Sequence, residues 1–180
     1  MKTLFFSLSL TLFLYSCHSA VKEETAAQEQ PAGINPAPGD NKPAVPSALP
    51  SFRMMNSNNQ VVDLAQFKGK KVFVNLWATW CPPCRAEIPS IESLGARTDR
   101  SKTEFVMVSL DDNFDKARNY AVNNNMKLPV YYPAGPLPAL FNTEGIPFTV
   151  IFNEKGEIIY QNMGSDNYDT QRFMDLLKAP

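Results

Sequence analysis

Hydrophobic and polar positions divide the chain into three parts. Residues 4–15 form an apolar run, residues 18–48 show no apolar periodicity, and patterned apolar segments begin at residue 49. The middle part contains five prolines and few large apolar side chains, so it can bury too little surface to offset its ordering entropy. We therefore predict a disordered tether over residues 18–48 and a folded domain over residues 49–180.

The apolar pattern of the predicted domain indicates an α/β fold. An almost continuous apolar run over residues 72–77 is typical of a buried central strand, and turn-rich residues separate paired apolar runs near both ends of the domain. The predicted elements are an N-terminal hairpin (52–55 and 60–64), strand 72–77, helix 82–94, strand 104–110, helix 115–124, strand 130–132, a second hairpin (148–152 and 157–161) and helix 169–178. This order predicts a central mixed β-sheet flanked by helices on both faces, with the first hairpin as an N-terminal extension.

The first 17 residues read as an export signal. Lys2 precedes the apolar run, which is shorter than the roughly 20 residues that span a bilayer as a helix. The segment Leu14-Tyr15-Ser16-Cys17 resembles a bacterial lipobox, whose Cys becomes the lipidated first residue of the mature protein. We expect a signal peptide over residues 1–17, lipidation of Cys17, and an extracytoplasmic protein of the cell envelope, anchored to a membrane by lipid. A plain secretory signal with an incidental Cys is the alternative.

Charge and cysteine content narrow the function classes. The formal net charge is −1, so the chain has no overall basic field with which to hold nucleic acid. If Cys17 carries lipid, Cys81 and Cys84 form a self-contained pair. Zinc needs about four ligands, and the single histidine, His18, falls in the predicted tether. We therefore expect neither a metal nor a cofactor in the domain.

Cys81 and Cys84 lie where the predicted buried strand gives way to a helix. Their spacing lets both sulfurs meet in the first helical turn, where free N–H groups and the helix dipole favour a thiolate at Cys81. Pro82 and Pro83 suit these positions because a missing N–H has no intrahelical partner there. We predict an exposed Cys81 that attacks a disulfide and a shielded Cys84 that resolves the mixed disulfide.

Four segments resemble the TlpA/ResA-like thioredoxin family. They are residues 74–89, with the Trp-Cys-Pro-Pro-Cys motif, residues 145–149, with a Gly-Ile-Pro sequence, and the flanking segments 64–70 and 152–158. The resemblance runs from about residue 50 to 180 and implies a thioredoxin-like fold and a thiol–disulfide oxidoreductase. It further implies a monomeric reductase that acts on exported proteins, such as cytochrome c apoproteins, and receives electrons from a thiol protein in the membrane.

The resemblance also implies roles for individual residues. Asn75 stands where thioredoxin has a buried Asp, and because an amide cannot act as a base, proton handling passes to Glu87. The alternative for Glu87 is a solvated helix carboxylate. Pro147 corresponds to the family's cis-proline, next to which the backbone of Ile146 pairs with an extended substrate. An ordinary trans-proline is the alternative.

Trp80, Pro82 and Pro83 complete the expected substrate-binding surface, with Trp80 beside the sulfur of Cys81. Two other functions stay open on the residues alone. A peroxiredoxin-like thiol peroxidase needs Pro-x-x-x-Thr-x-x-Cys, whereas Val74 lies seven residues before Cys81 and Thr79 only two. A non-catalytic module that binds thiols or a metal is the other alternative.

Overall fold

A computed structural model describes residues 49–178, which form one seven-stranded sheet with helices packed against it. The strands are β1 (Arg53–Asn56), β2 (Val61–Asp63), β3 (Lys71–Trp77), β4 (Thr103–Ser109), β5 (Val130–Pro133), β6 (Phe148–Phe152) and β7 (Ile158–Met163). The α-helices are α1 (Pro82–Ala96), α2 (Phe114–Asn123) and α3 (Gln171–Lys178). The predicted signal peptide, with Cys17, and the predicted tether lie outside the described residues.

The sheet is mixed, as the order of elements predicted. The strands lie in the order β2-β1-β5-β4-β3-β6-β7. Strands β3, β4 and β5 run parallel, whereas the remaining pairs are antiparallel. The N-terminal hairpin β1–β2 extends the sheet beyond β5. All predicted strands and helices are present, with boundaries within two residues of those expected.

The two faces of the sheet are covered differently. All three α-helices contribute buried residues to one hydrophobic cluster, on the face of Phe73 and Trp77. The opposite face packs against the N-terminal segment and two short 3-10 helices, Leu64–Phe67 and Ala139–Phe141, which the sequence pattern did not predict. The crossovers β3–α1–β4 and β4–α2–β5 step across the sheet in the same direction. Since such crossovers are right-handed, α1 and α2 share one face, and the expected α-helical cover of both faces is wrong.

Helix α1 starts as the sequence predicted, because its first residues are suited to a helix N-terminus. Cys81 is the N-cap in an extended conformation, and Pro82 and Pro83 occupy the first helical positions. Farther along, Ile88, Ile91 and Leu94 are buried in the helical-face cluster. Helix α1 therefore rests on the sheet with its N-terminus at the end of β3.

Candidate active site

Cys81 and Cys84 form a disulfide at the N-terminus of α1, with their Cα atoms 5.3 Å apart. The backbone N–H of Cys84 donates to the sulfur of Cys81 over 3.2 Å. This N–H belongs to the first turn of the helix, where no intrahelical acceptor exists. After reduction the same donor, together with the helix dipole, favours a thiolate at Cys81.

Both sulfurs are buried in the disulfide-bonded state. Cys81 is 3% exposed and Cys84 is completely buried, so the expectation of an exposed Cys81 is wrong for this state. The reason is the loop before β6, whose Ile146 carbonyl oxygen lies 3.7 Å from the sulfur of Cys81. The loop before β6 therefore borders the sulfur of Cys81 directly.

The loop before β6 has the backbone geometry that the resemblance implied. The Ile146–Pro147 peptide bond is cis, and the carbonyl of Pro147 accepts a hydrogen bond of 2.8 Å from the N–H of Gly164. Among the described residues, no backbone group is hydrogen-bonded to the N–H or the carbonyl of Ile146. An extended peptide can therefore pair with this backbone, next to the sulfur of Cys81.

Glu87 lies one helical turn after Cys84 and is 3% exposed, so the alternative of a solvated carboxylate is wrong. Its Oε1 accepts from the Nδ2 of Asn75 over 2.8 Å, and its Oε2 accepts from the N–H of Asp166 over 3.2 Å. Burial raises the pKa of Glu87 to about 7, and the two hydrogen bonds oppose this rise only in part. A carboxyl group that can exchange a proton near neutral pH thus lies close to the disulfide.

A buried polar chain continues from Glu87 across the sheet. Asn75 on β3 and Thr149 on β6 are register partners, and Asn75 Nδ2 also donates to Thr149 Oγ1 over 2.9 Å. The hydroxyl of Tyr168 donates to the same Oγ1 over 2.8 Å. Neither Thr149 nor Tyr168 was predicted from the sequence; the only local signal was a polar residue in each of two otherwise apolar strands.

The segment before α3 is fastened to α1 beside Glu87. The hydroxyl of Ser165 donates to the carbonyl of Pro83 over 3.0 Å, and the N–H of Tyr168 donates to the hydroxyl of Ser90 over 3.1 Å. A surface cleft of about 360 Å³ between the two segments is lined in part by Glu87 and Asp166. Glu87 therefore lies between α1 and the segment before α3, and the cleft connects it to solvent.

A second network holds the turn that precedes Cys81. Asp111 is 3% exposed and accepts from the N–H of Thr79 over 3.1 Å, the hydroxyl of Thr79 over 2.6 Å and the hydroxyl of Ser109 over 2.7 Å. These bonds tie the residues between β3 and α1 to the end of β4. Asp111 was not predicted from the sequence either, because nothing near it in the chain indicates that its carboxylate contacts Thr79.

The remaining expected residues surround the disulfide. Trp80 is 63% exposed, and Pro82 and Pro83 are exposed at the start of α1. Within residues 49–178 no group of three or more His, Cys, Asp and Glu side chains is arranged to hold a metal ion. In the same range no helix combines the length and the apolarity needed to cross a membrane.

Comparisons of the amino-acid sequence with known proteins identify related thiol–disulfide oxidoreductases. The family model described as Redoxin matches residues 44–177. The thiol-disulfide oxidoreductase ResA of Bacillus thuringiensis subsp. konkukian is 25% identical over 126 residues, 69% of this chain and 73% of that protein. The thioredoxin-like protein YneN of Bacillus subtilis is 33% identical over 112 residues, 61% of this chain and 65% of that protein.

Solved structures give the same fold. StoA from Bacillus subtilis has a TM-score of 0.58 at 25% identity, covering 69% of this chain and 95% of that one. A thiol:disulfide interchange protein of the thioredoxin family from Chlorobium tepidum has a TM-score of 0.62 at 27% identity, covering 72% and 94%. The expected thioredoxin-like fold is thereby confirmed. The chain belongs to the Redoxin family, and within it to the TlpA/ResA-like thiol–disulfide oxidoreductases.

Proposed function

We propose that the protein is a lipid-anchored, extracytoplasmic reductase of disulfides in exported proteins. One observation carries the redox chemistry: the Cys81–Cys84 pair lies at the N-terminus of α1, one helical turn before the buried carboxyl group of Glu87. The location rests on the lipobox-like segment that ends at Cys17. The direction of electron flow rests on the resemblance to the ResA-like proteins.

The proposed reaction has two exchange steps. The thiolate of Cys81 attacks one sulfur of a substrate disulfide, so a mixed disulfide forms and the first substrate thiolate leaves. The thiolate of Cys84 then attacks the sulfur of Cys81, and the second substrate thiolate leaves. Two electrons pass from the cysteine pair to the substrate, and the enzyme is left with its own disulfide. A thiol protein in the membrane is the proposed donor that reduces the pair again.

Glu87 is proposed to handle the proton of Cys84. The thiol of Cys84 has to lose its proton before it can attack, and its complete burial disfavours a free thiolate. Because burial raises the pKa of Glu87 to about 7, its carboxylate can accept this proton near neutral pH and release it through the cleft beside Asp166.

Substrates are proposed to bind as an extended segment against Ile146, beside the cis-proline Pro147. The exposed side chains of Trp80, Pro82 and Pro83 supply the flanking contacts. Exported proteins with disulfides, including cytochrome c apoproteins, are the proposed substrates, and the enzyme acts as a monomer.

A trapping experiment tests the assignment of the two cysteines. Cys84→Ser, reduced and then mixed with an oxidised protein substrate, should accumulate a mixed disulfide through Cys81, because no thiol is left to resolve it. Cys81→Ser is the matched control and should trap nothing. If Cys84→Ser forms no adduct, or if Cys81→Ser forms it equally well, the assignment is wrong.

Two measurements test the other parts of the proposal. A reductase should have a reduction potential near that of thioredoxin, about −270 mV, whereas a value near −120 mV, as in the oxidant DsbA, would contradict the proposed direction. Full-length protein expressed in bacteria should partition into detergent, and Cys17→Ser should move it to the aqueous phase. Equal partitioning of both proteins would contradict a lipid on Cys17.

A further inference from the structure

One end of the domain carries most of its positive charge. It lies opposite the disulfide, because β3 and β4 begin there and Cys81 follows the end of β3. The segments at this end contain eight Lys and Arg and four Asp and Glu residues. The other residues of the range 49–178 contain six Lys and Arg and ten Asp and Glu. We call this surface the basic end; it comprises residues 68–71, 97–104, 153–157 and Lys178.

The four parts of the basic end meet around Lys71, the first residue of β3. Lys71 is the register partner of Thr103, the first residue of β4. Its Nζ donates to the carbonyls of Leu176 and Leu177, over 3.3 and 3.2 Å, at the end of α3. The same Nζ lies 3.7 Å from Oε1 of Glu154, in the turn between β6 and β7. The basic residues therefore belong to one continuous surface.

Most of the positive charge on the basic end faces solvent. Six of its eight cationic residues are exposed, compared with two of its four acidic residues. One of the partly buried acids, Glu104, is shared by Lys70 and Arg100, each 3.6 Å away. Four of the exposed cationic residues form no ion pair with any described residue: Lys68, Lys102, Lys155 and Lys178. The surface thus keeps a surplus of positive charge that its own acids do not neutralise.

A cleft of about 430 Å³ opens in the basic end. Its size falls within the range of about 300–1,000 Å³ typical of sites that bind small ligands. Four of its lining residues are cationic: Lys71, Arg97, Lys102 and Lys178. Ammonium and guanidinium groups form short, strong hydrogen bonds with phosphate oxygens. The cleft is therefore suited to a phosphodiester group.

We propose that the basic end binds the anionic phospholipid headgroups of the bilayer to which the protein is anchored, and that this contact turns the disulfide away from the membrane. Charge complementarity supports this occupant, because the rest of the domain carries four more acidic than cationic residues and is repelled by the same surface. The inference rests on the proposed lipid at Cys17 and adds to it how the domain is oriented. Oriented in this way, the disulfide faces soluble exported substrates.

The proposed lipid makes even a weak contact effective. Residues 18–48 separate Cys17 from the described domain, and a flexible chain of that length spans roughly 30 Å. Such a connection keeps the domain at a millimolar effective concentration near the bilayer. Each cationic residue close to an anionic surface then strengthens the contact about fivefold. Because the contact is electrostatic it is reversible, so the domain can still turn its disulfide towards a thiol protein in the membrane.

Energy transfer to labelled lipid measures the orientation. Full-length lipidated protein in its disulfide-bonded form is inserted into vesicles of phosphatidylcholine, with or without phosphatidylglycerol, that contain a trace of acceptor-labelled lipid. A donor fluorophore is attached through Ser101→Cys, in the basic end, or through Ala139→Cys, at the disulfide end; both positions are exposed. With phosphatidylglycerol, transfer should be higher from position 101 than from position 139. Salt at about 1 M, where the Debye length is about 3 Å, should abolish the difference.

Neutral variants link the orientation to the basic end. Lys102→Gln/Lys178→Gln removes two exposed cationic residues of the cleft and should lower the ratio of bilayer-bound to free domain about 25-fold. Arg53→Gln/Lys116→Gln is the matched control, because it makes the same change in net charge at exposed residues outside the basic end. It should leave the ratio nearly unchanged. An equal loss in both variants would show a response to net charge alone and would overturn the inference.

The remaining outcomes separate the inference from the proposed function. Equal transfer from both positions with phosphatidylglycerol, or higher transfer from position 139, overturns the inference while the lipid anchor stands. Protein that dissociates from both kinds of vesicle overturns the proposed anchor and the inference with it. Reduction of bis(2-hydroxyethyl) disulfide, measured with reduced enzyme on the same vesicles, tests the reductase separately. Its failure would overturn the proposed activity and leave a measured orientation in place.

Discussion

Glu87→Gln should change the dependence of stability on pH. Burial raises the pKa of Glu87 from about 4.5 to about 7 in the folded protein, whereas the unfolded chain keeps a pKa near 4.3. Between these values the folded state binds more protons than the unfolded state. The contribution of Glu87 therefore makes the wild-type protein less stable as the pH rises through this window, with the full cost present above about pH 7.

The size of the effect follows from the same pKa values. A rise from about 4.5 to about 7 corresponds to about 3 kcal/mol, at roughly 1.4 kcal/mol per pKa unit. Gln cannot ionise, so it removes this cost at high pH. It also turns an amide N–H towards the N–H of Asp166, which costs about 1 kcal/mol at every pH. The variant should therefore be about 1 kcal/mol less stable near pH 4 and about 2 kcal/mol more stable near pH 8.

Urea denaturation of the disulfide-bonded wild type and Glu87→Gln, carried out between about pH 4 and pH 8, measures the difference in their free energies of unfolding at each pH. Because the lost hydrogen bond costs the same at each pH, it cancels when the difference between the two proteins is compared across pH. Free energies of unfolding of wild type and Glu87→Gln that run parallel over this range would contradict a raised pKa of Glu87 in the folded protein. The two curves should cross near pH 5, where the cost of ionising Glu87 in the folded state reaches about 1 kcal/mol.

Three further substitutions test the packing around the site. Tyr168→Phe removes the hydroxyl that donates to Thr149 and should lower the free energy of unfolding in urea by about 1 kcal/mol; an unchanged midpoint would contradict the buried bond. Asp111→Ala leaves three donors of Thr79 and Ser109 without their acceptor and should cost about 3 kcal/mol by thermal unfolding, with Asp111→Asn recovering part of it. Phe105→Ala opens a cavity beside a stacked aromatic ring and should cost about 3–5 kcal/mol in urea; a loss below 1 kcal/mol would show that the core collapses around it.

The features that the sequence predicted are encoded over short distances. The apolar run of β3, the N-terminal signals of α1 and the spacing of Cys81 and Cys84 are each contained in a few consecutive residues. For this reason the elements and the redox pair could be found without a structure. The cis-proline at Pro147 was available only through its resemblance to a known family, because local propensity alone favours a trans bond.

The features that were missed depend on contacts between distant residues. Glu87 meets Asp166 across 79 positions, and Asn75 meets Thr149 across 74. No local pattern indicates such partners, so the burial of Glu87 and the polar chain beneath it could not be predicted.

The two edge strands of the sheet affect whether copies of this protein pair with one another and aggregate. A strand with free backbone groups invites addition by another chain, which leads to aggregation. One edge here is β2, only three residues long, and the other is β7, whose register shifts opposite Ile151 and Phe152. Short and irregular edges are poor templates. Intermolecular strand pairing is therefore discouraged at both edges of the sheet, whereas the backbone of Ile146, beside the disulfide, has no backbone partner among the described residues and stays available for pairing.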